Sequence, residues 1–109
     1  MDEELLSSSL DQLIVRLGGD LLATDVSLGP EEESRGRRYG HNWLAEKWDS
    51  IRQQLCGKVS DQLTGDLATD IGAVADVLSA SFHGPVVFTV SAIVVKYGIG
   101  RLCQGGEAP

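Results

Sequence analysis

Basic residues are scarce in this chain. Nine Lys and Arg stand against 16 Asp and Glu in 109 residues, a formal net charge of −7 with histidine neutral. Phosphate affinity is assembled from clustered Lys and Arg, so the deficit argues against a nucleic-acid partner. Cysteine is scarcer still. With only Cys56 and Cys103 the chain is not a disulfide-dense scaffold, and the expectation is two thiols buried at helix ends in a reducing cytoplasm. A bridge between the two is geometrically conceivable. The opening Met1-Asp2-Glu3-Glu4-Leu5-Leu6 has neither a basic leader nor a long apolar stretch, so no secretory signal is expected.

A membrane-length apolar run is also missing. Val77 to Val95 holds no Asp, Glu, Lys or Arg across 19 residues, but His83-Gly84-Pro85 interrupts it. The continuous apolar part, Val86 to Val95, has the length of a buried core segment rather than of a spanning helix. Catalytic motifs are absent too. There is no G-x-S-x-G elbow, and Ser7-Ser8-Ser9 reads as polar filler on a helix. Gly98-Ile99-Gly100 lacks the third glycine of a dinucleotide loop and reads as fraying near a helix end. The two cysteines and two histidines show no paired ligand spacing, so neither metal nor cofactor is expected, and the chain is read as a non-enzyme.

What remains is helical periodicity, and it predicts an all-α fold, a small four-helix-type bundle. Leu6, Leu10, Leu13 and Leu17 line one face of a first helix from about Leu5 to Leu17, which Gly18-Gly19 should stop. Asp20 to Leu28 has no clear pattern. Gly29 to Gly40 combines Pro30, three glycines, an acidic triplet and a basic cluster, and predicts a flexible loop over 29–40.

A second helix should begin near Asn42 and end at Gly57, burying Leu44, Trp48, Ile51 and Leu55. A third runs from about Ser60 to Phe82 on Leu63, Leu67, Ile71, Val74 and Leu78. Gly65 and Gly72 each weaken that helix by about 1 kcal/mol relative to Ala, so a break is expected near Thr64-Gly65. Pro85 suits the first position of a fourth helix, Pro85 to about Cys103, with Phe88, Ala92, Val95, Ile99 and Leu102 inward. The alternative is an α+β fold with Val86–Val95 as a buried strand, since six of those ten residues are Val or Ile. Residues 1–104 form one expected domain, with 105–109 a disordered tail.

Candidate interaction residues follow from this layout. If helices two to four run up, down and up, Cys56 and Cys103 share one end, and His41 and His83 the other. Asp66 and Asp70 stand one turn apart on an acidic face, and no Lys or Arg lies between Lys58 and Lys96. Such a flank suits a basic protein partner. Arg35, Arg37 and Arg38 beside Tyr39 form a small basic-aromatic patch that Glu31-Glu32-Glu33 should largely neutralise. Trp43 lies about 100° from Leu44, at the edge of the buried stripe, where it packs near Tyr39 or anchors an interface. The functional expectation is a protein–protein interaction or self-assembly module, a homo-oligomer, adaptor or subunit of a larger complex. A membrane-associated protein using the Leu67–Val95 hairpin is the alternative.

Overall fold

A computed structural model describes residues 3–22, 30–59 and 63–109. Among them the elements are α1 (Glu3–Ser7), α2 (Leu10–Leu22), α3 (Pro30–Leu55), α4 (Leu67–Leu78), α5 (Pro85–Tyr97) and α6 (Ile99–Cys103), with no strand. The fold is all-α. Val86–Val95 lies within α5, and the strand alternative is not adopted. The start expected near Ser60, together with Asp61, Gly29 and all but the first residues of Asp20–Leu28, lies outside the described residues.

The first expected helix is divided. Ser9 Oγ accepts from the backbone N–H of Gln12 at 3.2 Å, while Gln12 Oε1 accepts from the backbone N–H of Ser9 at 2.8 Å. This reciprocal capping box starts α2 afresh. Ser9 is therefore an N-cap and not filler. At the corner between α1 and α2, Lys96 Nζ donates to the carbonyls of Leu6 and Ser8, satisfying acceptors that the end of α1 leaves open.

Helix α2 does not stop at Gly18-Gly19, and residues 30–40 are not a loop. Both departures have one cause. Gly18 on α2 lies directly against the backbone of Gly36 on α3, and Gly40 lies against Ile14. A Cβ at Gly18 would come within 2.6 Å of the Gly36 Cα. The glycines let two helix backbones approach too closely for any side chain to intervene, and this packing offsets their poor helix propensity. The seam continues the buried stripe of α3. Stepping back by fours from Leu44 reaches Gly40 and then Gly36. Arg37 closes the same interface at its edge, donating from Nε and Nη2 to the two Asp11 carboxylate oxygens at 3.0 Å each. That pairing holds the Asp11 carboxyl below its ordinary range.

The rest of α3 follows the periodicity. Leu44, Trp48, Ile51 and Leu55 are buried. The helix ends where expected, with Gly57 at φ 88° and the Val59 N–H turned back to the Leu55 carbonyl. Across the core stand Leu13 and Leu17 of α2, Ile71, Val74 and Leu78 of α4, and Val90 and Ile93 of α5. Each fully buried Leu, Ile or Val contributes roughly 1.5–3 kcal/mol of transfer free energy. Thr89 Oγ1 donates to Asp20 Oδ2 at 2.9 Å, tying α5 to α2.

Residues 63–66 are not helical, and the third expected helix is observed as α4 over Leu67–Leu78, ending short of Phe82. Pro85 opens α5 at the first helical position. The fourth expected helix divides at Gly98, whose φ of 110° no other residue adopts cheaply. Cys56 and Cys103 do share one end, and they are joined in a disulfide with Cα atoms 5.6 Å apart. The expectation of two buried thiols is corrected accordingly. Residues 105–109, expected to be a disordered tail, are instead seated on α3 and α5. Trp48 Nε1 donates to the Gly106 carbonyl at 2.7 Å, and Tyr97 Oη to the Glu107 carbonyl at 2.6 Å.

Candidate interaction groove

Helix α5 departs from its expected face at one residue. Phe88 heads the predicted inward stripe, yet it is 47% exposed, while Val87 and Val90 beside it are buried. The reason is the rotation of α5. Its residues 86–95 are apolar nearly all round, so periodicity alone could not say which side turns inward. Packing against α2 and α4 turned the Val87, Val90 and Ile93 side to the core.

Phe88 forms one wall of an open groove of about 960 Å³ where α4 meets α5. The α4 side is built from small residues, Gly72, Ala73 and Ser79, with Asp76 among them, and Phe82 and Pro85 close the end. The small side chains leave room, and the two phenylalanines supply apolar surface. Among the described residues, a Cβ at Gly72 would meet nothing within 4 Å, and none of them covers this helix face.

Trp43 is half-buried and supports the groove from behind. Its ring lies 5.4 Å from that of Phe82, tilted by 60°. Edge-tilted pairs at this separation are favourable. Phe82 is thus a partner of Trp43 that the sequence reading did not name.

The two candidate aspartates separate by role. Asp66 is the N-cap of α4, its carboxylate accepting from the Thr69 N–H at 3.0 Å and the Thr69 hydroxyl at 2.6 Å. These bonds hold its carboxyl below the usual range. It stays exposed at the start of the face that continues through Thr69, Ala73 and Asp76. Asp70, expected beside it on a solvated acidic face, is buried. It accepts from Thr64 N at 2.8 Å, Thr64 Oγ1 at 3.0 Å and Gly65 N at 3.1 Å. Asp70 is the polar pin of the 64–66 turn and is not available to a ligand.

Arg35, Arg38 and Tyr39 are exposed on α3, and none of them lines the groove. Arg37 is engaged with Asp11. The side chains of Glu31, Glu32 and Glu33, expected to neutralise this cluster, lie outside the described side chains. Among the described residues, no three His, Cys, Asp or Glu gather as a metal site requires. No helix among the described residues is long and apolar enough to cross a membrane.

Phe88 was missed as a surface residue because it sits in an apolar stretch, Val86 to Val95. One available signal was the Gly72, Ala73 and Ser79 side of the third predicted helix, which offers an aromatic neighbour little to pack on. Compared with protein-family models, curated proteins and solved structures, the chain matches none.

Proposed function

We propose that this chain is a small, non-catalytic interaction module whose α4–α5 groove receives a basic amphipathic helix of a protein partner, as an adaptor or a subunit of a larger complex would. The observation that carries it is Phe88, an aromatic residue kept at the surface beside an uncovered apolar trough. Large exposed aromatics in such a setting are typical anchors. Charge supplies the sign of the partner. Asp76 lines the trough, Asp66 begins the same face of α4, and the sequence holds no Lys or Arg from Val59 to Val95. Seating a second copy there would bring two acidic flanks together, so self-assembly through this groove is the less favoured form of the same idea.

The probe is a labelled Leu/Lys amphipathic helix of about 18 residues, five turns, read by fluorescence anisotropy beside its Leu/Glu counterpart. The Leu/Lys peptide should bind, weaken as salt rises, and lose about tenfold or more in affinity, roughly 1.4 kcal/mol, with Phe88→Ser. Equal binding by both peptides, or no effect of Phe88→Ser, would sink the proposal. Light scattering over a concentration series separates the forms, since a dimer abolished by Phe88→Ser would replace the external partner with a second copy. For compartment we keep the cytoplasmic placement as a proposal, in which the Cys56–Cys103 bond is transient. Mass-tag alkylation in intact cells tests it: free thiols support the placement, and a closed bond removes it.

A further inference from the structure

Residues 104–109 are held almost entirely by their main chain. The Gly106 carbonyl accepts from Trp48 Nε1 and from Arg52 Nη2, both at 2.7 Å. The Glu107 carbonyl accepts from Tyr97 Oη at 2.6 Å, and His41 Nδ1 lies 2.8 Å from the Pro109 carbonyl. His41, Trp48 and Arg52 are seven and four residues apart on α3, hence on one face of it. The segment therefore runs back along α3 as a strap, from near Cys56 towards His41. Beneath it Trp48 packs edge-on against Tyr97 with ring centroids 5.1 Å apart, and Arg101 sits over the Tyr97 ring at 4.1 Å.

The N–H groups of Gln104, Gly105 and Gly106 also turn back to the Gly100, Leu102 and Arg101 carbonyls, and Ala108 packs against the core. Against these contacts stands the ordering of six residues, two of them glycine, the residue that loses most freedom on ordering. The fit of the strap is also close, because a Cβ at Gly106 would lie 2.7 Å from the Arg101 carbonyl and closer still to Tyr97 Oη. Covalent anchoring comes one residue before the strap, where Cys103 is bonded to Cys56 just beyond the end of α3. Cys103 is an exposed residue, and once its bond is open the footing of the strap rests on the buried Ile99 and Leu102 of the short α6 alone.

We propose that the Cys56–Cys103 bond is a redox latch for this strap, and that its reduction lifts residues 104–109 from α3 and α5. A cellular dithiol attacks the Cys103 Sγ, and Cys56 leaves as a thiolate. The second thiol of the reductant then attacks the mixed disulfide. The bond is reduced to two thiols and the dithiol is oxidised to its own disulfide. What becomes uncovered is a row of side-chain donors, Trp48 Nε1–H, Arg52 Nη and Tyr97 Oη–H, spaced to meet the carbonyls of an extended peptide with glycine at its centre. This inference does not depend on the α4–α5 groove.

The test is solution NMR of the full chain, oxidised and reduced with dithiothreitol, with bond opening verified by alkylation mass. On reduction the Trp48 indole N–H should exchange with water about tenfold faster or more, while the core amides of Ile71, Val74 and Ile93 keep their folded chemical shifts. Gly106→Ala should produce the same indole signature with the bond still closed, because its methyl group cannot fit beside Tyr97. An unchanged Trp48 indole in the reduced protein would overturn the latch, as would displacement of the Ile71, Val74 and Ile93 amide resonances along with it. The first result would make the bond a brace without effect on the strap, and the second would make it a staple of the whole fold.

Discussion

Two glycines in helix interiors should respond to the same substitution with opposite sign. Gly18 and Gly72 both sit within regular helix, and on helix propensity alone each change to Ala would stabilise by about 1 kcal/mol. At Gly72 none of the described residues lies within 4 Å of the added methyl, so that gain should appear, raising Tm by roughly 4–8 °C for a domain of this size. At Gly18 the methyl would fall inside the Gly36 carbonyl and 2.6 Å from its Cα, where real Cβ contacts essentially never come closer than 3.0 Å. Only backbone is present to give way, so α2 and α3 must separate along a seam that also holds Ile14, Gly40 and the Asp11–Arg37 pair. Overpacking costs typically 1–3 kcal/mol and more where backbone must move. After the propensity gain, a net loss of about 2 kcal/mol or more should remain, a fall in Tm of roughly 10 °C. Urea and thermal unfolding followed by circular dichroism measure both variants. A Gly18→Ala protein as stable as the parent would refute the seam, and with it the reason that residues 30–40 are helical.

Other changes test other joints of the molecule. Asp70→Ala should cost about 2–4 kcal/mol, since it leaves the Thr64 and Gly65 donors at the turn without their acceptor; chemical denaturation reads it directly. Trp48→Ala should cost about 3–5 kcal/mol and leave little folded protein at 37 °C by circular dichroism. Dithiothreitol should lower Tm without unfolding the chain at 25 °C: a closure over 47 residues is worth about 4 kcal/mol on chain entropy, at the low edge of a typical domain's total stability. Acid should loosen the start of α4. The folded pKa of Asp66 is below its ordinary 3.8, so its stabilisation is complete above that value and is lost as pH falls through the folded pKa. Asp66→Asn, which keeps an acceptor but no charge, should flatten that part of the pH profile of amide exchange in Ala68–Asp70.

Much of the bundle was legible in the residues. The stripe Leu44, Trp48, Ile51 and Leu55, the stop at Gly57 and the start at Pro85 all followed from spacing and turn chemistry. Glycine was the main source of error. Gly18, Gly36 and Gly40 carry the same letter whether a glycine ends a helix or lets two helices touch, and only the partner backbone decides between them. Helix α5 posed a different problem, because a segment apolar on every side has no preferred face until its neighbours choose one. Phe88 is where that choice left its mark, and the candidate site grew from it. Trp43 could be placed at the edge of the core from sequence, but its partner Phe82 lies 39 positions along the chain, and no local pattern joins them. The cysteines could be assigned to one end of the bundle, whereas the bond between them depended on the exact reach of α3 and α6.

The bond between Cys56 and Cys103 also turns everything from Gly57 to Leu102 into a covalent ring. Helices α4 and α5 and the groove between them lie wholly inside it. A protease that cuts once within the ring cannot divide the oxidised molecule, which would migrate as one species on a non-reducing gel and as two after reduction. A single cut in 30–55 would release a fragment at once under both conditions when denatured. Limited proteolysis on paired gels thus maps whether a cut falls on the groove-bearing ring or on the helices outside it, without sequencing a single fragment.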